Sequence, residues 1–168
     1  MTNKRIVLLV CLIVVGAASW MIFRGRDPLD PLAVLDNPDR MILYSIDGDA
    51  VRHDRTVEGA DLFHRAPVIG QVNVIAADKR SALAYALKQG IESPERPVEC
   101  FWPRHALRVT SNGRTVDYLI CFECSRIYVY EGNSKVVKHV SRAPQRIFNQ
   151  HLREAGITLS KGMAPDPQ

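Results

Sequence analysis

The order of strand-like and helix-like segments over residues 41–160 predicts one α+β domain. It would hold one twisted antiparallel sheet of four to six strands, with two helices packed on one face. Three observations carry this expectation. Asn112-Gly113 lies between two alternating segments and is a strong hairpin signal. Short alternating runs recur on both sides of it, and just two stretches show helical spacing. The composition, 46% hydrophobic and 24% charged, is that of a chain able to bury a core.

Residues 1–26 read as a targeting element. Lys4 and Arg5 precede an uncharged, mostly apolar run from Ile6 to Phe23, and Arg24 and Arg26 close it. A helix of that length barely spans the ~30 Å hydrocarbon layer. The continuing apolar Trp20–Phe23 favours a membrane anchor, so the lipid bilayer is an expected partner through residues 6–23. Gly16-Ala-Ala-Ser19 keeps open a cleaved signal peptide and a secreted protein. In either reading the domain is expected outside the cytoplasm. Cys11 falls in the apolar run as a membrane-buried thiol. Residues 27–40, rich in proline and aspartate, read as a linker.

Met41–Ile46 reads as a first strand, ended by a turn at Asp47-Gly48-Asp49; residues 50–61 read as a loop. Val68–Ile75 reads as a half-buried strand. Asp78 is the expected N-cap of a helix over Lys79–Gln89 that stops at Gly90. The Asn112-Gly113 turn pairs Ala106–Thr110 with Thr115–Cys121 and sets Val109 against Val116, Leu107 against Tyr118 and His105 against Ile120. One face is then apolar, and the other carries Arg104, Arg108, Thr110, Thr115 and Asp117. Arg126–Tyr130 turns at Gly132-Asn133 into Lys135–Val140. Pro144 opens a last helix with Ile147, Phe148, His151, Leu152 and Ala155 as its stripe, and residues 161–168 read as a disordered tail.

Charge is divided along the chain. Residues 24–99 hold ten Lys/Arg and thirteen Asp/Glu, and residues 100–168 hold ten and five. No basic stretch is interleaved with aromatics, so nucleic acid is not an expected partner. The sequence names no protein or ligand partner.

The chemistry concentrates between Cys100 and Cys124. Continuing the hairpin register brings Cys100 opposite Ser125 and Arg104 opposite Cys121, which gathers Cys100, Cys121 and Cys124 around His105. Three chemistries fit. A disulfide from Cys100 to either Cys121 or Cys124 needs no cofactor and suits an extracytoplasmic domain. A zinc ion held by Cys100, His105, Cys121 and Cys124 is the alternative, with the turn broken so that both cysteines of Cys121-x2-Cys124 face one point. A reactive Cys121/Cys124 pair, its thiolate favoured by Arg104 or His105, is the third; Glu123 inside the motif opposes it. His105 on the apolar face also reads as a satisfied core histidine, and Glu123 as solvated. His64 has no partner legible in the sequence.

Tyr44-Ser-Ile-Asp47, Phe63-His64 with Ile69-Gly70, Cys100-Phe-Trp-Pro-Arg-His105 and Ile120-Cys-Phe-Glu-Cys124 together resemble an uncharacterised family of bacterial membrane-anchored or secreted proteins. The resemblance spans about residues 41–157. It implies one domain and one focal site, and it brings no activity. The expected function is therefore a membrane-tethered extracytoplasmic domain, non-enzymatic, with a binding or envelope role and a cysteine-centred structural site. The alternative is a thiol- or zinc-dependent enzyme that uses the same residues.

Overall fold

In a computed structural model, residues 30–162 and 166–167 are described; the expected anchor, and Cys11 within it, lie outside them. Seven strands form a curled, half-barrel antiparallel sheet: β1 Arg40–Ile46, β2 Leu62–Phe63, β3 Ala66–Asn73, β4 His105–Ser111, β5 Arg114–Cys121, β6 Arg126–Glu131 and β7 Ser134–His139. Their order is β2-β3-β1-β4-β5-β6-β7. Among the described residues three short α-helices accompany them: α1 Gly48–Arg52, α2 Ala77–Glu92 and α3 Gln145–Glu154. Among the described residues no helix is long and apolar enough to cross a membrane.

This corrects the α+β expectation of four to six strands with two packed helices. The sheet dominates, a seventh strand and a third helix are present, and both faces of the sheet are built upon. Residues directly opposite in a ladder share a face, so the register defines each side. One face runs Leu43, Leu107, Tyr118, Val129 and, beside it, Met41, Val109, Val116. All of these are buried, as are Leu83 and Leu87 of α2 and Phe148 and Leu152 of α3. The opposite face runs Tyr44, Ala106, Leu119, Tyr128 and, beside it, Ile42, Arg108, Asp117, Tyr130, Lys135. The sequence reads this face as polar. Its central rows instead join a second apolar cluster with Phe63, Ala66, Val51, Val68 and Phe101.

The hairpin forms in the expected register, with Asn112 at φ 50° and Gly113 at φ 76°. Both left-handed residues match the twist of the flanking strands. Asp47 does more than end β1. Its Oδ1 accepts from the backbone N–H of Asp49 (3.1 Å) and Ala50 (2.9 Å), and so caps α1 where a plain turn was expected. The expected strand at 68–75 begins two residues earlier, because the two-residue β2 pairs Leu62 with Pro67 and Phe63 with Ala66. α2 is capped by Ala76 without a side-chain bond, not by Asp78, and it runs through Gly90. Gly90 is a close-approach residue: a Cβ there would lie 2.7 Å from Pro144 Cγ.

Gly48 is hemmed in by backbone as well, since its absent Cβ would stand 2.9 Å from both Arg104 Cγ and Pro103 O and 3.2 Å from Trp102 O. Backbone carbonyls cannot swing aside. Gly48→Ala is expected to lower stability by roughly 1–3 kcal/mol, against the helix-propensity gain of alanine. Thermal unfolding of the two proteins checks this; an unchanged midpoint would show that residues 102–104 yield freely.

Candidate functional site

Among the described residues, two places gather the chemistry. The first is the cysteine cluster. The β4–β5 ladder ends at His105 and Ile120, one residue after Pro103-Arg104, where the Arg104 N–H still donates to Ile120 O (3.1 Å). Ahead of that point the chain leaves the ladder, and the Val98 N–H donates to Cys124 O (3.3 Å). β5 closes with Cys121, and the chain then reverses through residues 122–125, with Ser125 at φ 50°. That reversal puts both cysteines of the CxxC on one point. Cα separations are 5.7 Å for Cys100–Cys124 and 5.2 Å for Cys121–Cys124, both within the disulfide range. The Cys124 sulfur is in bonding reach of the other two, and one sulfur can bond only one of them. All three sulfurs lie within 4.8 Å of one another.

His105 is not part of that group. It is buried, and its Nε2 donates to Asn149 Oδ1 (2.7 Å). The Asn149 amide nitrogen in turn donates to Asp166 Oδ1, and a carboxylate that only accepts fixes the amide's orientation. Phe122 and Phe148 close around the ring at centroid distances of 5.2 and 5.9 Å. Burial pushes the imidazole down to about 4, against smaller upward pulls from the Asn149 bond and Asp166. Of the expected zinc ligands, then, the three cysteines converge and the histidine is a satisfied core residue.

Arg104 is buried, gives Nη1 to Ser160 Oγ (3.1 Å) and to Lys161 O, and its Nε stands 3.4 Å from Glu123 Oε1. The stretch expected as tail thus supplies two partners to the site, Lys161 to Arg104 and Asp166 to Asn149. Between Trp102, Arg104, His105, Cys121, Phe122 and Glu123 the free volume is only about 10 Å³, room for one water at most.

The second place is a cleft of about 630 Å³ over the second sheet face. Its floor is Leu119, Tyr128 and Tyr130. Phe101 stacks on Tyr128 (centroids 3.7 Å), and His64 stacks on Tyr130 (3.8 Å). Lys135 Nζ stands 3.5 Å above the Tyr128 ring. The loop and helix between β1 and β3 form the wall, with Arg55, Val57, Leu62 and Arg65. His64 and Arg65 make the β2–β3 turn, both at positive φ (48° and 73°) without a glycine. Such backbone costs about 1 kcal/mol or more per residue and persists only where packing enforces it.

Here the enforcing contact is visible. His64 Nε2 meets Asp117 Oδ2 at 2.7 Å, and Arg108 donates Nε and Nη2 to the same carboxylate, each at 2.7 Å. The Asp117 bond holds the Arg108 guanidinium above its ordinary value, and burial raises Tyr130. Sequence reading missed this cleft and His64's partner. The one legible hint was Phe63-His64, a histidine beside an aromatic. The contact itself spans 53 residues.

Neither a family model, nor a curated protein, nor a solved structure matches the chain.

Proposed function

We propose that this chain is a membrane-tethered, extracytoplasmic domain that binds rather than catalyses, with a Cys100–Cys124 disulfide as its structural clamp. The tether is the apolar run at residues 6–23, and the lipid bilayer is its partner. The observation that carries the non-catalytic reading is the closed cysteine site. Cys121 is 1% exposed at the end of a continuous strand with about 10 Å³ of space beside it, and Cys124 is 0% exposed. A nucleophile needs a substrate within ~3–3.5 Å, and the buried Cys121 and Cys124 leave no room for one; Cys100, the half-buried third, is the cysteine the clamp consumes.

The pairing follows from what each bond would hold. Cys100–Cys124 closes a 24-residue separation and fixes a segment that has left the ladder; Cys121–Cys124 closes three residues already shaped by a turn. On the chain-entropy account the longer closure stabilises more. The clamp also sets Phe101, the next residue, over Tyr128 in the cleft. It thereby links the cysteine cluster to the cavity able to take a ligand.

One observation favours a rival. Three convergent sulfurs suit a zinc ion, and a thiol- or zinc-dependent enzyme would use them. Intact mass after alkylation, together with elemental analysis, separates the two on protein made with and without export. Besides Cys11, one blocked pair, one free thiol and no metal are expected from the exported chain. Three alkylatable thiols besides Cys11 after chelation, with about one zinc per chain before it, would overturn the clamp.

A further inference from the structure

We infer that the cleft over Tyr128 and Tyr130 is a binding site for a small organic anion with a flat apolar body. This rests on the reading of the chain as a binding domain and names its ligand class. Size admits such a ligand: about 630 Å³ is ordinary for a small-molecule site. The lining is amphipathic in a particular way. Apolar contact comes from Phe101, Leu119 and the Tyr128 and Tyr130 rings, and from Val57 and Leu62, which are 41% and 63% exposed. Exposed apolar groups inside a concavity leave surface for a ligand body to cover.

Charge chooses the sign. Arg55, Arg65 and Lys135 line the cleft against one carboxylate, Asp54. Arg55 also meets Asp49 at 3.4 Å on an exposed rim, so Arg65 and Lys135 carry the argument. Lys135 is held over the Tyr128 ring, 3.5 Å from its centroid, with its ammonium at the floor of the cleft. A cationic ligand would have to displace or neutralise it, whereas a carboxylate or sulfonate completes it. Arg65 is presented by the strained two-residue turn at φ 73°, and His64 is tied to Asp117 beneath it, so the turn is fixed before any ligand arrives. Two cations about a rigid aromatic floor recognise an anionic head on an apolar ring without needing base, metal or nucleophile.

The test uses the full chain in phosphatidylcholine nanodiscs, titrated calorimetrically with naphthoate and with naphthylmethylammonium, empty nanodiscs being subtracted. The two probes share one ring and differ in charge. Saturable naphthoate binding is expected at one site per chain, with the cation at least about tenfold weaker. Lys135→Glu and Arg65→Glu, both at exposed positions, should each weaken naphthoate by about tenfold with an unchanged circular dichroism spectrum. Absence of saturable naphthoate binding, equal binding of the cation, or indifference to both substitutions would overturn the anion site. The outcome is separable from that of the clamp. A chain with one blocked cysteine pair that ignores naphthoate refutes this site alone, and a zinc-loaded chain in which Cys100, Cys121 and Cys124 are all alkylatable after chelation refutes the clamp whatever the titration gives.

Discussion

Cys124→Ser is expected to lower the stability of the domain by about 3 kcal/mol, because either disulfide open to the cluster needs the Cys124 sulfur. A loop of 24 residues removes roughly that much unfolded-chain entropy when closed. Cys100→Ser breaks the same bond and should fall by the same amount. Cys121→Ser keeps the bond and only buries a hydroxyl in place of a thiol, a change of about 1 kcal/mol. Its sulfur accepts the Cys124 backbone N–H at 3.2 Å, an interaction serine can retain. Thermal unfolding by circular dichroism ranks the three variants. Should Cys121→Ser match Cys124→Ser while Cys100→Ser is silent, the bond is the short one within the CxxC. Equal losses in all three, mimicked by a chelator in the unmodified chain, would point to zinc. The expected ranking also reaches the cleft, since Phe101 follows Cys100 directly and keeps its stack on Tyr128 only while the segment is held.

How much of this was legible depended on whether the deciding interaction was local. Asn112-Gly113 fixes its own hairpin, so the register from Val109–Val116 to His105–Ile120 followed from the residues alone. That register pointed the three cysteines toward one neighbourhood, and the reversal at residues 122–125, beyond the end of the ladder, makes them meet. Gly90 misled because a glycine near the end of a helical pattern reads as a stop; its true reason is Pro144, more than fifty residues away. The polar look of Arg108 and Asp117 misled similarly. Each is charged, but they neutralise one another across two strands, and Asp117 is tied further to His64. A face with paired charges can carry an apolar cluster beside them, and here Tyr44, Ala106 and Leu119 do so. β2 escaped notice because two residues offer no alternation to read, and its turn uses His64-Arg65 where a glycine would have announced it. His105 kept two readings open in the sequence, ligand and core. Only Asn149 on α3 decides between them.

That histidine should also make the domain acid-sensitive. Folding buries the His105 ring and pushes it down to about 4 from 6.5. Between those two values the unfolded chain holds a proton on this ring that the folded chain does not. Stability therefore rises with pH across the window and is lost as pH falls from about 6.5 toward 4. Each pH unit within the window removes up to about 1.4 kcal/mol, so the whole interval removes on the order of 3 kcal/mol. His105→Gln is the informative comparison, since its amide can still donate to Asn149 Oδ1 but does not titrate. Urea unfolding at a series of pH values should show a steep fall for the unmodified chain below pH 6.5 and a flatter one for the variant. Parallel curves would mean that the ring is solvated and chargeable in the folded state. That result would also restore His105 as a candidate ligand or proton carrier, because a ring that takes a proton at neutral pH is no longer held by Asn149 and the two phenylalanines. The expected outcome removes it from any catalytic scheme, and with it the one imidazole that stands beside the cysteines.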